Sequence, residues 1–194
     1  MTALFAGLTT LDVLHRLDHV PDPGLKVTST DFTMAAGGPA TNAAVTYAAL
    51  VAATRAPSAD EAEADSPAPF PSGETPTLLT ALGEGPVSAF LAADLASAGV
   101  RVLDATAPTP PDHPSARGER GAAPASSLRE PAVSSIIEHP SGRMVASTNA
   151  RLDADAGRIA GDLPERVGAV LIDGHNPALA HAALTLGVPE VNGE

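Results

Sequence analysis

The chain has 194 residues, of which 44% are hydrophobic and 3% aromatic, and its formal net charge is -12. Binding to nucleic acid or to an anionic membrane needs a basic surface, and single-stranded nucleic acid also needs aromatic rings for stacking, so we expect neither partner. The sequence contains no cysteine, which excludes disulfides and thiolate metal sites.

We expect no secretion signal in the first residues. Residues 1–8 lack a basic region, and no apolar stretch of the chain approaches the roughly 20 residues that a membrane-spanning helix needs. We therefore expect a cytoplasmic protein. Its length and apolar content suit a single α/β core.

Apolar runs alternate with helical segments along the chain. Four runs are typical of buried parallel strands, at 3–8, 77–82, 99–103 and 168–173, and the helices that connect them are predicted at 39–53, 86–98 and 177–186. This order predicts a parallel sheet wound with helical crossovers.

Two further segments interrupt that rhythm. Residues 14–20 and 26–35 are extended around the turn sequence Pro-Asp-Pro-Gly at 21–24, so they are predicted to pair as a hairpin. Residues 132–149, turning at 140–142, are predicted to form a second hairpin.

Residues 55–76 and 104–130 are rich in proline, alanine and acidic residues and have almost no periodic apolar pattern. Such segments bury too little apolar surface to offset the entropy of ordering them. We predict two flexible inserts, whose usual explanation is tolerated surface length.

The most informative pattern is the glycine pair Gly37 and Gly38, followed by Pro39 and, one helical turn later, Asn42. Glycine lets the chain turn sharply and lets a ligand approach the backbone, while a helix that starts at Pro39 points unpaired N–H groups at the same place. Asn42 adds a donor and an acceptor. From the residues alone the pair fits either a small-ligand site or merely a tight strand-to-helix turn.

Several segments together resemble the ribokinase-like, or PfkB, family of sugar and nucleoside kinases. The first ends in Asp12, the second reads Gly-Gly-Pro-Ala-Thr-Asn-Ala-Ala, and the last, Ile-Asp-Gly-His-Asn, resembles a strand end of ketohexokinase-like members; the segments are 3–12, 37–44, 77–83, 133–145 and 172–176. The resemblance implies a three-layer α/β/α fold with a mainly parallel sheet and a small β-sheet lid. The chain would be a single incomplete domain over 1–194, truncated at its C-terminus, with lid strands within 14–35 and 131–149.

The resemblance also implies a site. Asp12, placed at the end of a buried strand, would accept hydrogen bonds from sugar hydroxyls, beside Gly37, Gly38 and Asn42. The alternative for Asp12 is a helix or turn cap. Two further candidates are Arg143, which resembles an arginine that reaches nucleotide phosphates, and Asn149; a solvated turn residue is the favoured alternative for Arg143.

The family's catalytic base is an aspartate in a C-terminal Gly-Ala-Gly-Asp motif, and this sequence has no such segment. Ala160-Gly161-Asp162 matches it only superficially. The resemblance thus implies ATP and Mg²⁺ as cofactors, a small sugar as substrate and a homodimer through the lid, but with an incomplete nucleotide site and no catalytic residue in this chain. Two alternatives are a noncatalytic sugar-binding or lid-mediated dimerisation module and a fragment of a nucleoside kinase.

Other chemistries find little support. The only lysine is Lys26, so there is no P-loop, and no Gly-x-Ser-x-Gly elbow occurs. His15 and His19 lie on the predicted strand 14–20, where they are about 13 Å apart and cannot share a metal ion. We expect no metal site. His175 and Asn176 follow a strand, where they could contact a ligand or cap the strand end.

Overall fold

A computed structural model describes residues 2–55, 75–108, 129–148, 152–164 and 167–187. These residues form eight strands, three α-helices and one short 3-10 helix. The strands are β1 (Thr2–Ala6), β2 (Thr10–Arg16), β3 (Asp31–Gly37), β4 (Thr77–Thr80), β5 (Arg101–Asp104), β6 (Ala132–His139), β7 (Gly142–Ser147) and β8 (Val167–Ile172). The helices are α1 (Pro39–Arg55), α2 (Pro86–Ser97) and α3 (Pro177–Gly187), and the 3-10 helix is Ala156–Ile159.

The main sheet has the order β5-β4-β1-β8, and every neighbouring pair in it is parallel. All residues of β1 and β4 are buried, which explains why both read as continuous apolar runs rather than alternating ones. The predicted parallel sheet and its three helices are confirmed.

Helices cover both faces of this sheet. On one face Ala3, Phe5 and Leu78 pack against α1 and α2, and on the other Leu4 and Leu79 pack against α3 and the 3-10 helix. Alternate residues of a strand point to opposite faces, so β1 supplies both cores. The fold class is therefore α/β with three layers, α/β/α, as predicted.

A second sheet rises from the main one with the order β3-β2-β6-β7. It consists of two antiparallel hairpins joined through the parallel pair β2 and β6. Its base packs on α2 through Leu11 and Leu91, and the Asp94 carboxylate accepts a hydrogen bond from the Ala36 N–H at 2.8 Å. We call this second sheet the lid.

The antiparallel pairing and the turn of the second hairpin match the prediction, but the first hairpin has other bounds. Its strands extend to Thr10 and Gly37, and residues 17–30 belong to no strand. This segment contains two prolines and several charged side chains, and proline cannot donate to a strand ladder. The predicted strand segments 14–20 and 26–35 are therefore displaced.

The location predicted for Asp12 is wrong. Strand β1 ends at Ala6, and Asp12 lies within β2 of the lid. The chain leaves the main sheet at Gly7, whose N–H still bonds the Leu79 carbonyl at 3.0 Å. The resemblance implied a single strand over 3–12. The structure instead has a turn at residues 7–9 between β1 and β2.

Most of the two predicted inserts and the candidate Asn149 fall outside the described residues. At the described insert ends, Arg55 still belongs to α1 and Asp104 to β5. Among the described helices, none has the length and apolar character that crossing a bilayer requires.

Candidate functional site

The carboxyl ends of β1, β4 and β8 meet the start of α1 and the base of the lid in one crevice. In open α/β sheets, ligands bind at this edge. The predicted site residues belong to the elements around it.

The Asp12 carboxylate is held in a defined orientation at the base of the lid. Its Oδ1 accepts a hydrogen bond from the Thr10 hydroxyl at 2.7 Å. Its Oδ2 lies over Gly37, because a Cβ atom added to that glycine would be 2.0 Å away. Asp12 is opposite Ala35 on one side and Ser134 on the other. The carboxylate therefore faces the strand-to-helix turn, with acceptor capacity left for a ligand.

Gly38 has a φ of 105°, a conformation that residues with a side chain rarely adopt. A Cβ atom there would be 2.3 Å from the carbonyl oxygen of Leu8. Both glycines of the pair are thus required by the protein's own packing. The tight-turn interpretation is correct as far as packing goes, and the role of the pair toward a ligand stays a prediction.

Asn42 lies in the first turn of α1, and its N–H donates to the Gly38 carbonyl at 2.8 Å. Its side chain is exposed. The structure thus brings Asp12, Gly37, Gly38 and Asn42 to the same strand-to-helix turn.

A buried cluster of threonines behind this turn was missed by sequence reasoning. The hydroxyl of Thr9 lies 2.9 Å from those of both Thr41 and Thr80, and the Thr41 hydroxyl donates to the Leu8 carbonyl at 3.0 Å. The cluster ties α1 to the ends of β1 and β4. Scattered threonines in a sequence give no signal that their hydroxyls meet.

The residues after β8 have structural partners. Asn176 accepts a hydrogen bond from the Leu179 N–H at 3.4 Å and donates to the Leu152 carbonyl at 3.4 Å. It therefore caps the start of α3 rather than the end of β8, as one of the two interpretations had predicted. The His175 Nδ1 lies 3.3 Å from the Asp173 carboxylate.

A small cavity lies at the carboxyl edge of the main sheet, lined by the turn after β1 and by residues of β4, β6 and α3, among them Thr9, Thr80 and Leu179. Its volume is about 20 Å³, room for about one water molecule. It is too small for a sugar. The candidate site is instead the surface at the strand-to-helix turn, where Asp12, Gly37 and Gly38 meet.

Two other sequence candidates lie away from Asp12. Arg143 is exposed and pairs across the strands with Glu138. Asp12 pairs with Ser134, which lies four residues before Glu138 on the same strand. Arg143 is therefore about 13 Å from Asp12 along the lid. Asp162 lies near the amino end of β5, since the side chain of Arg101, the first residue of that strand, donates to its carbonyl at 3.0 Å. Asp162 is therefore at the edge of the sheet opposite the crevice, as expected for a superficial motif match.

The two histidines considered for a metal have separate partners. His19 lies beyond the end of β2, so the distance that assumed both on one strand does not hold. His15 contacts the Ser29 hydroxyl at 3.1 Å, and the hydrogen bond from His19, at 2.6 Å, lowers the pKa of the exposed Asp18 carboxyl. Within the described ranges there is no group of three or more potential metal ligands.

These elements define a three-layer α/β protein whose antiparallel and parallel lid strands rise from the carboxyl edge of a parallel sheet. The fold is ribokinase-like. The chain superposes on ribokinase from Giardia lamblia with a TM-score of 0.59 and 12% identity, over 96% of this chain and 51% of that one. It matches Arabidopsis thaliana ribokinase, solved with ribose and ATP, with a TM-score of 0.52 and 14% identity, over 97% and 51%.

A carbohydrate kinase from Agrobacterium tumefaciens matches with a TM-score of 0.52 and 17% identity, over 96% of this chain and 50% of that one. The chain thus spans about half the length of these solved structures. No protein-family model and no curated protein matches the sequence.

Proposed function

We propose that this chain is the sugar-binding part of an ATP-dependent carbohydrate kinase of the PfkB type, and that it has no kinase activity by itself. The observation that carries the proposal is the Asp12 carboxylate at the base of the lid, fixed over Gly37 next to the start of α1. The ribokinase-like fold and the ribose complex of the Arabidopsis enzyme support it.

In this proposal Asp12 accepts hydrogen bonds from sugar hydroxyls, and the exposed amide of Asn42 binds another hydroxyl. The turn at Gly38 adds backbone polar groups. A carboxylate that accepts from neighbouring hydroxyls can hold a polyol in a fixed orientation, which phosphoryl transfer to one hydroxyl needs.

The described residues bring no lysine to the carboxyl edge of the main sheet for the phosphates of ATP. The single lysine, Lys26, lies in the loop between β2 and β3. A chain of net charge -12 also repels a polyanionic nucleotide. In the proposed kinase, the residues that bind nucleotide and supply the base come from outside these elements.

Calorimetric titration against a panel of sugars tests the proposal. Asp12→Ala should weaken binding of a cognate sugar by roughly 10- to 150-fold, because a hydrogen bond to a charged group is worth about 1.5 to 3 kcal/mol. Asn42→Ala removes a neutral hydrogen bond worth about 0.5 to 1.5 kcal/mol and should weaken binding by roughly 2- to 12-fold. Neither change touches core packing, so thermal unfolding should stay close to that of the unmodified chain.

Asp162→Ala is the matched control, since it removes an exposed carboxylate at the opposite edge of the sheet. It should leave sugar affinity unchanged. Equal affinity in the chain and in both site variants would place the site elsewhere.

A noncatalytic sugar-binding module is the second candidate function, and it makes the same predictions for Asp12 and Asn42. A nucleoside such as adenosine belongs in the panel, because a ribose-binding site serves sugar and nucleoside kinases alike.

A further inference from the structure

Asp173 follows β8 and carries a carboxylate whose side chain is 2% exposed. The carboxylate accepts three backbone hydrogen bonds. The donors are the N–H groups of Leu8 at 2.9 Å, Ala40 at 3.2 Å and His175 at 2.9 Å. A Cβ atom on Gly7 would be 2.2 Å from the same carboxylate, so the chain is packed closely around it.

These donors belong to three segments that are far apart in sequence. Leu8 lies in the turn that leads into β2 and Asp12, and Ala40 lies in the first turn of α1, which carries Asn42. One buried group therefore fixes the two halves of the proposed site relative to each other. Hydrogen bonds to a carboxylate are about twice as strong as those between neutral groups.

The charge of this group has a second consequence. The start of a helix carries a partial positive charge and unpaired N–H groups, which favour an anion. At α1 the Asp173 carboxylate already occupies that position, and Asp12 places a second carboxylate at the adjoining glycine turn. Among the described residues, the one basic side chain within ion-pair distance of Asp173 is His175, whose Nδ1 lies 3.3 Å from the carboxylate and offsets its charge only when the imidazole is protonated.

We infer that Asp173 is a positioning residue that also determines specificity: it joins the turn and the helix of the proposed site and makes that site select an uncharged polyol over a phosphorylated one. The inference rests on the proposed sugar-binding function. The buried Asp173 carboxylate takes the Leu8 and Ala40 N–H groups at the start of α1 that would otherwise bind an anion. A ligand phosphate at this turn would therefore lose those donors and lie near the Asp12 carboxylate, and like charges in a binding site lower affinity.

Calorimetry with two pairs of probes tests this: D-ribose with D-ribose 5-phosphate, and D-fructose with D-fructose 6-phosphate. For the pair that binds, the unmodified chain should bind the neutral sugar at least about tenfold more tightly than its phosphate at low ionic strength. Asp173→Asn keeps the shape and one oxygen acceptor but removes the charge, so it should reduce that preference at least about threefold.

Asp162→Asn removes one exposed charge at the opposite edge of the sheet and should leave the preference unchanged. An unchanged preference in Asp173→Asn, or equal affinity of the unmodified chain for a sugar and its phosphate, would overturn the inference while leaving the sugar site in place. Absence of binding to every probe would overturn the proposed function, and this inference with it.

Amide hydrogen exchange of the unmodified chain gives a second test that does not depend on the folding of a variant. The N–H groups of Leu8, Ala40 and His175 should exchange slowly, because a buried carboxylate binds all three. Exchange at the rate of exposed loop amides would show that Asp173 does not hold these segments, and would overturn the inference.

Discussion

At the scale of single residues, the turn that starts α1 requires a glycine at position 38. A side chain there would meet both an unfavourable φ of 105° and the Leu8 carbonyl oxygen 2.3 Å away. We expect Gly38→Ala to lower the free energy of unfolding by about 2 to 4 kcal/mol, since backbone strain and the steric clash add. Urea denaturation measures the change.

Gly24→Ala separates the cost of the backbone conformation from the cost of the steric clash. Gly24 also has a positive φ, 83°, but a Cβ atom there would have no neighbour within 4 Å. This variant should lose only about 1 kcal/mol, the cost of the backbone conformation alone. Equal losses in both variants would contradict the close packing of Gly38 against Leu8.

At the scale of elements, the lid has a fixed base and an apolar tip. Leu11 at its base is buried, whereas Phe32, Met34 and Met144 on the same face are 52%, 43% and 53% exposed. The outer strands β3 and β7 have no strand partner on their outer sides among the described residues. Exposed edges and apolar faces favour association, so we expect a homodimer through the lid.

The mass of the particle in solution tests this prediction. Light scattering at micromolar concentration should give a dimer for the unmodified chain, and Phe32→Lys with Met144→Lys should give a monomer, because two buried charges would face each other across the interface. Leu50→Lys, at an exposed position of α1, is the control and should remain dimeric. A monomeric unmodified chain would contradict the prediction.

At the scale of the whole molecule, the proposed function places sugar binding in these elements and phosphoryl transfer outside them. Phosphoryl transfer needs a base near the acceptor hydroxyl and positive groups around the phosphates. The Asp173 carboxylate is buried and accepts hydrogen bonds from three N–H groups, so it is not free to act as that base. We therefore expect ADP release by the purified chain to stay at background with every sugar tested.

Addition of a separately produced C-terminal half of a related kinase should allow sugar-dependent ADP release. The outer edge of β8 and the exposed side chains of Leu171 and Leu184 leave apolar surface on which further strands and helices can pack. The intact related kinase serves as the positive control. Sugar-dependent turnover by this chain alone would show that it contains a base after all.

The elements of the main sheet could be predicted because their signals are local. A buried strand such as β4 reads as a short apolar run, and α2 begins at a proline that follows a glycine; such features depend on neighbouring residues only. The same is true of the glycine pair and Asn42. Their spacing places a turn and the first helical turn side by side in any fold that contains them.

Contacts between distant segments could not be read in this way. The position of Asp12 in the lid depends on where the chain leaves β1, and that turn is stabilised by Leu79 and Asp173, which are far away in sequence. Only the packed chain shows that Gly7 and Gly38 must lack side chains because Asp173 and Leu8 fill the space. Local propensity decides which residues form strands and helices, whereas hydrogen bonds and close packing between remote segments decide which side chains form the site.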